Sequence, residues 1–321
     1  MGINIAFILG GVLLFFISTF FSYFQVNPFY RLYYIFAWYS YIFFIDGTIY
    51  SLKDNSLIIS RTKEFIYMLF VSTGLWFSFE IFNIFLKNWK YVMLPWDTKT
   101  RNIGYILSYA TVLPAIFETT EFMETIGIFK KIKTKINIKF DNKIRQVCFY
   151  GGILLTILTL VFPKLLFPFI WISLLFIFEP LNYKIGTRSI IKELSGGNIS
   201  KILSILLAGL LCGFIWELWN FKAGAKWIYT LPYLNSPRLF EMPIAGYLGF
   251  PFFALECYSI YNFLSYFKKG ISWEEDALIE LSIPGTNKYH FYGILITSVI
   301  VISTIAIYLI DKYTVVSYTI F

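Results

Sequence analysis

The chain has 321 residues, of which 58% are hydrophobic and only 14% are charged, and its mean hydropathy is +0.66. Soluble domains carry about 25% charged residues, so this composition argues against a soluble enzyme and indicates a membrane protein. The net charge of +8 is explained by membrane topology, and no basic segment carries base-stacking aromatic side chains on a soluble element, so no nucleic-acid partner is predicted. One histidine and three scattered cysteines do not form the pattern of a haem, zinc or di-iron site, and we predict neither a metal nor a cofactor.

Nine apolar segments, each about 20 residues long, are predicted to span the membrane as helices. They are residues 3–24, 29–50, 63–86, 103–127, 146–163, 165–183, 200–221, 243–267 and 289–311. The predicted fold class is therefore all-α, a polytopic transmembrane helix bundle.

We divide the predicted bundle into five parts. They are an N-terminal anchor helix (1–28), a first three-helix repeat (29–127), a basic cytoplasmic loop with a linking helix (128–164), a second three-helix repeat (165–267) and a C-terminal part (268–321). Within the last part, residues 271–283 are too short and acidic to span, and their helical spacing of apolar residues predicts an amphipathic helix at the membrane surface.

Lysine and arginine are unevenly distributed between the two sides of this bundle. The largest cluster lies in one loop and consists of Lys130, Lys131, Lys133, Lys135, Lys139, Lys143 and Arg145. The positive-inside rule places this loop, and with it the N-terminus, in the cytoplasm. The predicted location is the cytoplasmic membrane of a bacterium or archaeon.

Two parts of the chain match each other at offsets of 133 to 138 residues. The matched pairs are Asp46 with Glu179, Glu80 with Glu217, Asn83 with Asn220, Trp89 with Trp227, Tyr91 with Tyr229, Pro114 with Pro251, and Glu118 with Glu256. General membrane patterning explains the tryptophans and prolines but not the acids, so the pattern predicts an internal duplication. Three spans plus one linking helix make an even number, which predicts tandem parallel repeats related by an axis along the membrane normal.

The repeated glutamates are the candidate functional groups, because a carboxyl group in hydrocarbon is costly and needs a reason. The predicted catalytic residues are Glu217, Glu256, Glu80 and Glu118, and the predicted substrate-binding residues are Trp216, Trp219, Asn220, Trp227, Tyr229, Asn83 and Trp89. A dry surrounding would keep such a carboxyl protonated and able to act as a general acid. The alternative is that the acids are polar clamps between helices.

The second copy is expected to hold the working site, since it carries Trp216, Trp219, Trp227 and Tyr229 near its acids, while the first has Phe79, Phe82 and the charged Lys90. Two other acidic patterns invite simpler interpretations. Glu118, Glu121 and Glu124 repeat every third residue, where a hard-cation site is conceivable but not our prediction, and Asp46 and Glu179 are expected to form ion pairs with Arg61 and Lys184.

The order of these residues resembles the three-helix membrane domain of lycopene cyclases in its tandem, fused form. The residues that carry the resemblance are Glu217, Trp227-Ile228-Tyr229, Pro251 and Glu256 in the second copy, and Glu80, Trp89-Lys90-Tyr91, Pro114 and Glu118 in the first. In that family two adjacent glutamates follow the proline by two residues, whereas here one glutamate follows it by four or five. The resemblance implies redox-neutral, proton-initiated chemistry on a long isoprenoid, with a protonated glutamate as the acid.

Three functions remain open on these observations. The first is a membrane enzyme that acts on an isoprenoid, carotenoid-like or lipid substrate through its buried glutamates. The second is a proton- or cation-coupled transporter or lipid-moving protein, and the third is a structural membrane subunit. An enzyme should have a closed apolar cavity with its acids at one depth, whereas a transporter should have acids along a polar path to both sides. In each case the expected partners are membrane lipids or an isoprenoid-like small molecule.

The predicted orientation can be tested by labelling single cysteines from outside the cell. A cysteine at Asn235 should react with an impermeant reagent, because the loop 222–242 is predicted to face outward. A cysteine at Asn137, in the basic loop, should react only after the membrane is permeabilised. The opposite labelling pattern would contradict the orientation.

Overall fold

The structure is a computed structural model that describes residues 2–132, 134, 140–233, 235–274 and 288–319. It is 73% helical, which agrees with the predicted all-α class. Its longer helices are α1 (Ile3–Tyr23), α2 (Tyr33–Lys53), α3 (Thr62–Leu86), α4 (Thr98–Tyr109), α5 (Val112–Ile126), α6 (Asn142–Val161), α8 (Ile170–Ile185), α10 (Ser200–Lys222), α11 (Gly249–Ser265) and α12 (Lys288–Tyr313). Two short helices, α7 (Pro163–Leu166) and α9 (Ile190–Ser195), and 3₁₀ turns at Phe167–Phe169, Ile244–Leu248 and Tyr266–Lys268 complete the helical part.

Six of these helical segments are long and apolar enough to cross a membrane, as expected of an integral membrane protein. They are Ile3–Tyr23, Thr62–Leu86, Asn142–Val161, Pro163–Ile185, Ser200–Lys222 and His290–Tyr313. The other three predicted spans coincide with α2, with α4 and α5, and with the 3₁₀ turn that leads into α11. The last two are broken shortly before Pro114 and Pro251, each of which lies in the first turn of the following helix, where the missing backbone donor of proline costs least.

Six short strands, which the sequence analysis did not predict, lie among the helices. They are β1 (Trp89–Val92), β2 (Leu94–Pro95), β3 (Lys226–Tyr229), β4 (Arg238–Leu239), β5 (Met242–Pro243) and β6 (Tyr318–Thr319). β1 pairs with β3 in an antiparallel ladder, β2 with β6 in a parallel one, and β4 with β5 in a hairpin. β1 and β3 follow the ends of α3 and α10, and we call this end of the bundle the strand end. The opposite end, next to the basic loop, is called the basic end.

The core between these ends is built mainly from aromatic side chains. The rings of Trp38 and Trp219 have centroids 4.7 Å apart, and those of Trp76 and Trp216 are 4.9 Å apart. These contacts join α2 and α3 to α10, so the two halves of the chain share one core.

Two peripheral helices pack on the bundle through glycine in similar ways. A Cβ atom at Gly11 of α1 would lie 2.6 Å from the carbonyl oxygen of Ser40 on α2, and one at Gly152 of α6 would lie 2.9 Å from the backbone of Phe176 on α8. Because only glycine lets the backbones approach so closely, these positions fix how α1 and α6 lie against their neighbours.

At the basic end, residues 272–274 fold under the helices. Trp273 is buried, and its ring stacks on Phe117 with centroids 4.9 Å apart. The carboxylate of Glu274 pairs with Arg188 and with Lys201. These residues therefore lie in the interior, and residues 275–283 of the predicted surface helix lie outside the described residues.

The packing of α1 predicts a sharp difference between two adjacent glycines. Gly11→Leu should overpack the α1–α2 contact and cost about 1–3 kcal/mol, because the backbone of α2 cannot yield. Gly10→Leu should have little effect, since no atom lies within 4 Å of a Cβ atom at Gly10. Thermal unfolding in detergent measures both variants, and equal losses would contradict this packing.

Candidate functional site

Glu80 lies at the strand end of α3 and is fully buried. Its carboxylate accepts hydrogen bonds from Trp76 Nε1 at 2.9 Å, from Trp89 Nε1 at 3.2 Å and from the hydroxyl of Tyr91 at 2.6 Å. Trp76 is one helical turn before Glu80, whereas Trp89 and Tyr91 reach it because α3 ends at Lys87, whose left-handed backbone turns the chain back. Three donors thus compensate the burial of this carboxyl group.

Glu217 is the equivalent residue of α10 and is also fully buried. Its Oε1 accepts a hydrogen bond from the hydroxyl of Tyr229 at 2.7 Å, and that hydroxyl in turn accepts one from Trp227 Nε1 at 3.0 Å. Its Oε2 has no hydrogen-bond partner among the described residues. Glu217 is therefore less fully satisfied than Glu80.

The two asparagines hold the strands in place. Asn83 donates to the carbonyl oxygen of Trp89 at 2.9 Å and accepts from the backbone of Asn88 at 2.8 Å. Asn220 donates to the carbonyl oxygen of Trp227 and accepts from its backbone N–H, both at 3.0 Å. Each amide therefore acts as a clamp on the strand that follows its own helix.

The pairing of β1 with β3 brings the two clusters together. Trp89 lies opposite Tyr229 and Tyr91 lies opposite Trp227. An antiparallel pair is symmetric about its midpoint, so each tryptophan is beside the tyrosine of the other half. Both glutamates consequently lie at the strand end of the bundle.

A cavity of about 500 Å³ lies between the two halves at this end. Its lining is mostly apolar and rich in aromatic side chains, which include Tyr34, Trp76, Trp89, Tyr91, Tyr105, Tyr109, Trp171, Trp216, Trp227, Tyr229 and Phe253. Cavities of this size and apolar character are typical of small-molecule sites. Glu80 and Glu217 are not among its lining residues, so Tyr91 and Tyr229 connect the carboxyl groups to the cavity.

The phenols suit a proton-donating role. Burial, together with the neighbouring carboxylates of Glu80 and Glu217, raises the pKa of Tyr91 and of Tyr229 well above the usual value. Both hydroxyls therefore stay protonated at neutral pH and can pass a proton only if the carboxyl behind them replaces it. This arrangement supports general acid–base chemistry relayed through a tyrosine.

Three basic side chains of the described residues line the cavity: Arg101 and Lys226 form ion pairs, and Arg31 donates to the carbonyl oxygen of Thr319. Arg101 makes a two-pronged contact with Asp311 and also donates to the carbonyl oxygens of Pro95 and Trp96. Lys226 pairs with Glu241 at 2.5 Å. These ion pairs leave the cavity without an uncompensated charge from Arg101 or Lys226.

The structure separates the four predicted catalytic glutamates into two groups. Glu118 and Glu256 are fully buried but do not line the cavity. Glu256 Oε1 accepts a hydrogen bond from the backbone N–H of Leu174 at 2.9 Å, whereas Glu118 lies beside the carboxyl group of Asp46. Only Glu80 and Glu217 are therefore connected to the cavity.

The predicted substrate-binding residues also divide. Trp89, Trp216, Trp227 and Tyr229 line the cavity. Trp219, Asn83 and Asn220 do not, because the ring of Trp219 packs on Trp38 and the two amides bind backbone.

The expected enrichment of indole around the second acid is not found in the direct contacts. Two indole N–H groups reach Glu80, whereas none bonds directly to Glu217. The difference comes from Trp76, whose counterpart at an offset of 137 is Gly213. Lys90, expected to make the first site more polar, is exposed on β1.

Sequence analysis missed several lining residues, notably Trp76, Tyr105, Tyr109, Trp171 and Phe253. Trp76 could have been found, since it precedes Glu80 by four residues and shares its helix face. Tyr105 and Tyr109 have the same spacing on α4 but no acid nearby in sequence. Their position at the cavity follows from tertiary packing alone.

The other acids at the basic end are structural. Asp46 accepts hydrogen bonds from Ser56 Oγ at 2.9 Å and the backbone of Ile58 at 2.6 Å, and Arg61 pairs with Glu121 instead. The expected ion pair between Asp46 and Arg61 is therefore wrong. In the matched position, Glu179 accepts from Ser189 Oγ and from the backbone of Ile191.

The series Glu118, Glu121 and Glu124 does not form a joint site. Glu121 pairs with Lys53 at 2.8 Å as well as with Arg61, and Glu124 pairs with Lys201 at 2.7 Å. Within the described ranges, no group of three or more His, Cys, Asp and Glu residues could hold a metal ion.

Comparison with known proteins gave no match to a protein family, to a curated protein or to a solved structure. The function must therefore be argued from the geometry of the site.

The clamping role of the asparagines can be tested through stability. Asn83→Ala and Asn220→Ala should each cost about 1–3 kcal/mol, because buried backbone groups of the following strand lose their partners. Asn4→Ala removes an exposed hydrogen bond to Ser51 and should cost much less. Unfolding in detergent measures all three, and Asn83→Ala and Asn220→Ala variants as stable as Asn4→Ala would show that the clamps are dispensable.

Proposed function

We propose that this protein is an integral membrane enzyme that binds an isoprenoid- or lipid-like molecule in the cavity at the strand end. Glu217 supplies the proton for the reaction, and Tyr229 relays it to the bound molecule. The observation that carries this proposal is the hydrogen bond from Tyr229, a cavity-lining phenol, to a buried carboxyl group whose second oxygen has no partner. The chemistry is redox-neutral, as the resemblance to lycopene cyclases implies.

Glu217 suits the role of acid better than Glu80 does. Three donors around the Glu80 carboxylate favour its ionised form, since hydrogen bonds to a carboxylate stabilise the charge. A carboxyl group with one donor and one unpaired oxygen is more readily protonated. Glu80 then serves mainly to hold β1, and the second copy does the chemistry.

The proposal includes nine membrane spans arranged as tandem parallel repeats. Support comes from matched contacts at nearly constant offsets: the tyrosine–glutamate bonds, the asparagine clamps and the loops capped by Asp46 and Glu179. The glycine contacts of α1 on α2 and of α6 on α8 extend the repeating unit to four spans. Four spans are an even number, so both copies still point the same way across the membrane.

The orientation is part of the same proposal. The exposed lysines at the start of the basic loop, Lys130 and Lys131, favour a cytoplasmic basic end. The strand end and its cavity then lie toward the outer side of the cytoplasmic membrane.

A transporter is the alternative, and the packing disfavours it. Proton or cation transport requires a polar path from the cavity to the basic end. The core between them is filled by large side chains, among them Trp38, Phe117 and Tyr258, each at most 1% exposed. Glu118 and Glu256 lie within this packed region and fit the role of clamps between helices better than that of relay stations.

Conservative substitutions test the proposed acid. Glu217→Gln and Tyr229→Phe keep the shape of the site but remove the ionisable proton and its relay, so turnover should fall by about 100-fold or more. Glu80→Gln should be milder. The assay follows, by mass spectrometry of lipid extracts, the conversion of the molecule that copurifies with the protein.

Two comparisons make this test decisive. Glu193→Gln removes a carboxylate outside the cavity lining that accepts a hydrogen bond from Asn198, and it should retain activity. Glu256→Gln changes a glutamate that is packed between helices outside the cavity lining, and we expect it to lower stability more than turnover. Full activity in both Glu217→Gln and Tyr229→Phe would show that these groups are clamps, and the structural function would then be favoured.

A further inference from the structure

One polar side chain of the cavity is buried without a partner. Asn88 is 2% exposed and lines the cavity, and neither its amide nitrogen nor its amide oxygen has a hydrogen-bond partner among the described residues. Its backbone is fully engaged, since its N–H donates to Asn83 and its carbonyl oxygen accepts from Thr230. The side chain therefore extends from a backbone that is hydrogen-bonded through both its N–H and its carbonyl oxygen, directly before β1.

An unsatisfied amide in an apolar cavity is costly unless a ligand completes it. Leaving a buried donor or acceptor unpaired is unfavourable, and Asn88 has both. The repeat offers no structural reason for this amide, because the residues at offsets of 137 and 138 are Ala225 and Lys226. Asn88 thus places an amide in a mostly apolar lining, and the second half has no amide at the matching position.

We propose that Asn88 binds a neutral polar group of the ligand, a hydroxyl or carbonyl, and that the ligand is an amphiphile rather than a pure hydrocarbon. A neutral group is favoured over an anion because Arg101 and Lys226 are already paired with Asp311 and Glu241, and Arg31 donates to the carbonyl oxygen of Thr319. The amide nitrogen can donate a hydrogen bond to an oxygen of the ligand, and the amide oxygen can accept a hydrogen bond from a hydroxyl group of the ligand. This inference deepens the proposed function, on which it rests for the isoprenoid character of the ligand.

Two matched probes test this recognition by binding alone. Geranylgeraniol carries one hydroxyl, and the corresponding hydrocarbon lacks it. Binding of each to the purified protein is followed by quenching of the cavity tryptophans. The native protein should bind the alcohol about 2- to 10-fold more tightly, as one neutral hydrogen bond predicts.

Substitution at Asn88 should remove that preference. Asn88→Leu should bind the two probes equally and lose affinity only for the alcohol, whereas Asn102→Leu, a partly buried asparagine outside the cavity lining, should behave like the native protein. Equal binding of both probes by the native protein, no binding of either, or a preference that survives Asn88→Leu would each overturn the inference. Turnover by Glu217 is measured separately, so the failure of either proposal can be recognised alone.

A second inference concerns the route into the cavity, and it stands on different residues. Phe169, Leu248 and Phe252 line the cavity yet are 44%, 70% and 43% exposed. They belong to the 3₁₀ turn before α8, to the one before α11, and to the first turn of α11. The rim of the cavity on this side is therefore apolar and faces outward at the start of two helical segments.

The first half has no such opening. At an offset of 137, Leu248 and Phe252 correspond to Thr111 and Ala115, which are each 1% exposed. Helix α4 covers this side and contributes Tyr105 and Tyr109 to the lining, whereas the second half has the β4–β5 hairpin in its place.

We infer that Phe169, Leu248 and Phe252 frame a lateral opening through which an apolar chain enters from the bilayer. Vesicles of phosphatidylcholine with brominated acyl chains test this, because bromine quenches tryptophan only at short range. A Trp96→Phe background removes an exposed indole, and the remaining signal comes mainly from buried tryptophans, including those of the cavity. Brominated lipid should quench this signal, and aqueous iodide should not.

Blocking variants should close the opening. Gly249→Leu and Ala245→Leu add bulk at cavity-lining positions beside the rim and should lower lipid quenching about twofold or more. Gly151→Leu, on α6, where nothing lies within 4 Å of a Cβ atom, should change nothing. Undiminished lipid quenching in both blocking variants, no lipid quenching of the parent, or quenching by iodide would each contradict the lateral route.

Discussion

A carboxyl group buried near the end of an apolar helix must find hydrogen-bond donors, and much of this structure depends on how they are supplied. The helix itself can offer little, because its backbone donors are already used. In both halves a short strand that folds back against the helix end supplies a tyrosine donor, Tyr91 for Glu80 and Tyr229 for Glu217, and Trp76 of α3 adds a further donor to Glu80. β1 and β3 therefore satisfy the glutamates, and their pairing also joins the two halves.

The two strands then impose the remaining geometry. Each is held to its own helix by an asparagine, and their pairing joins the halves at one end of the bundle. The cavity lies between the two halves at this end, and tryptophans and tyrosines of both halves line it without filling it. The same end of the bundle thus satisfies the two buried acids and holds the cavity.

The two halves differ in the side chains around their glutamates and in the elements that flank the cavity. Trp76 donates to Glu80 and contributes to the lining, whereas a Cβ atom at the matching Gly213 would overlap the ring of Phe250. Helix α4 closes the first half, and a hairpin leaves the second half open. The first half thus holds an acid with three donors, and the second half holds an acid with one unpaired oxygen among the described residues.

Part of this could be predicted from the sequence. Apolar segments of membrane length gave the helical class and most helix positions, and rare residues at a constant offset pointed to Glu80, Glu217 and their aromatic neighbours. Both features can be read from the sequence directly, because a helix that spans a membrane is a continuous apolar segment and the matched residues recur in the same order.

The rest depends on contacts between distant parts of the chain. The pairing of β1 with β3 joins residues about 138 apart. A strand of four residues is too short for its alternation of apolar and polar residues to be recognised in the sequence. Arg61 pairs with Glu121, while the carboxylate of Asp46 already accepts hydrogen bonds from Ser56 and Ile58 of the loop 54–61. These contacts depend on the loop conformation and cannot be read from the sequence. The lack of a partner for Asn88 is invisible without the packing around it.

The central claim is that β1 and β3 pair across the two halves and close one shared site. Cysteines at Lys90 and Ile228, which lie opposite each other, should form a disulfide on mild oxidation, because paired strands place Cα atoms within bonding range. A Cys148→Ser background removes the only native cysteine that is not buried, and a protease site in the basic loop separates the halves. After cleavage the halves should stay joined on a non-reducing gel, and a control pair at Lys90 and Arg238 should fall apart. Halves that separate equally in both cases would contradict the shared site.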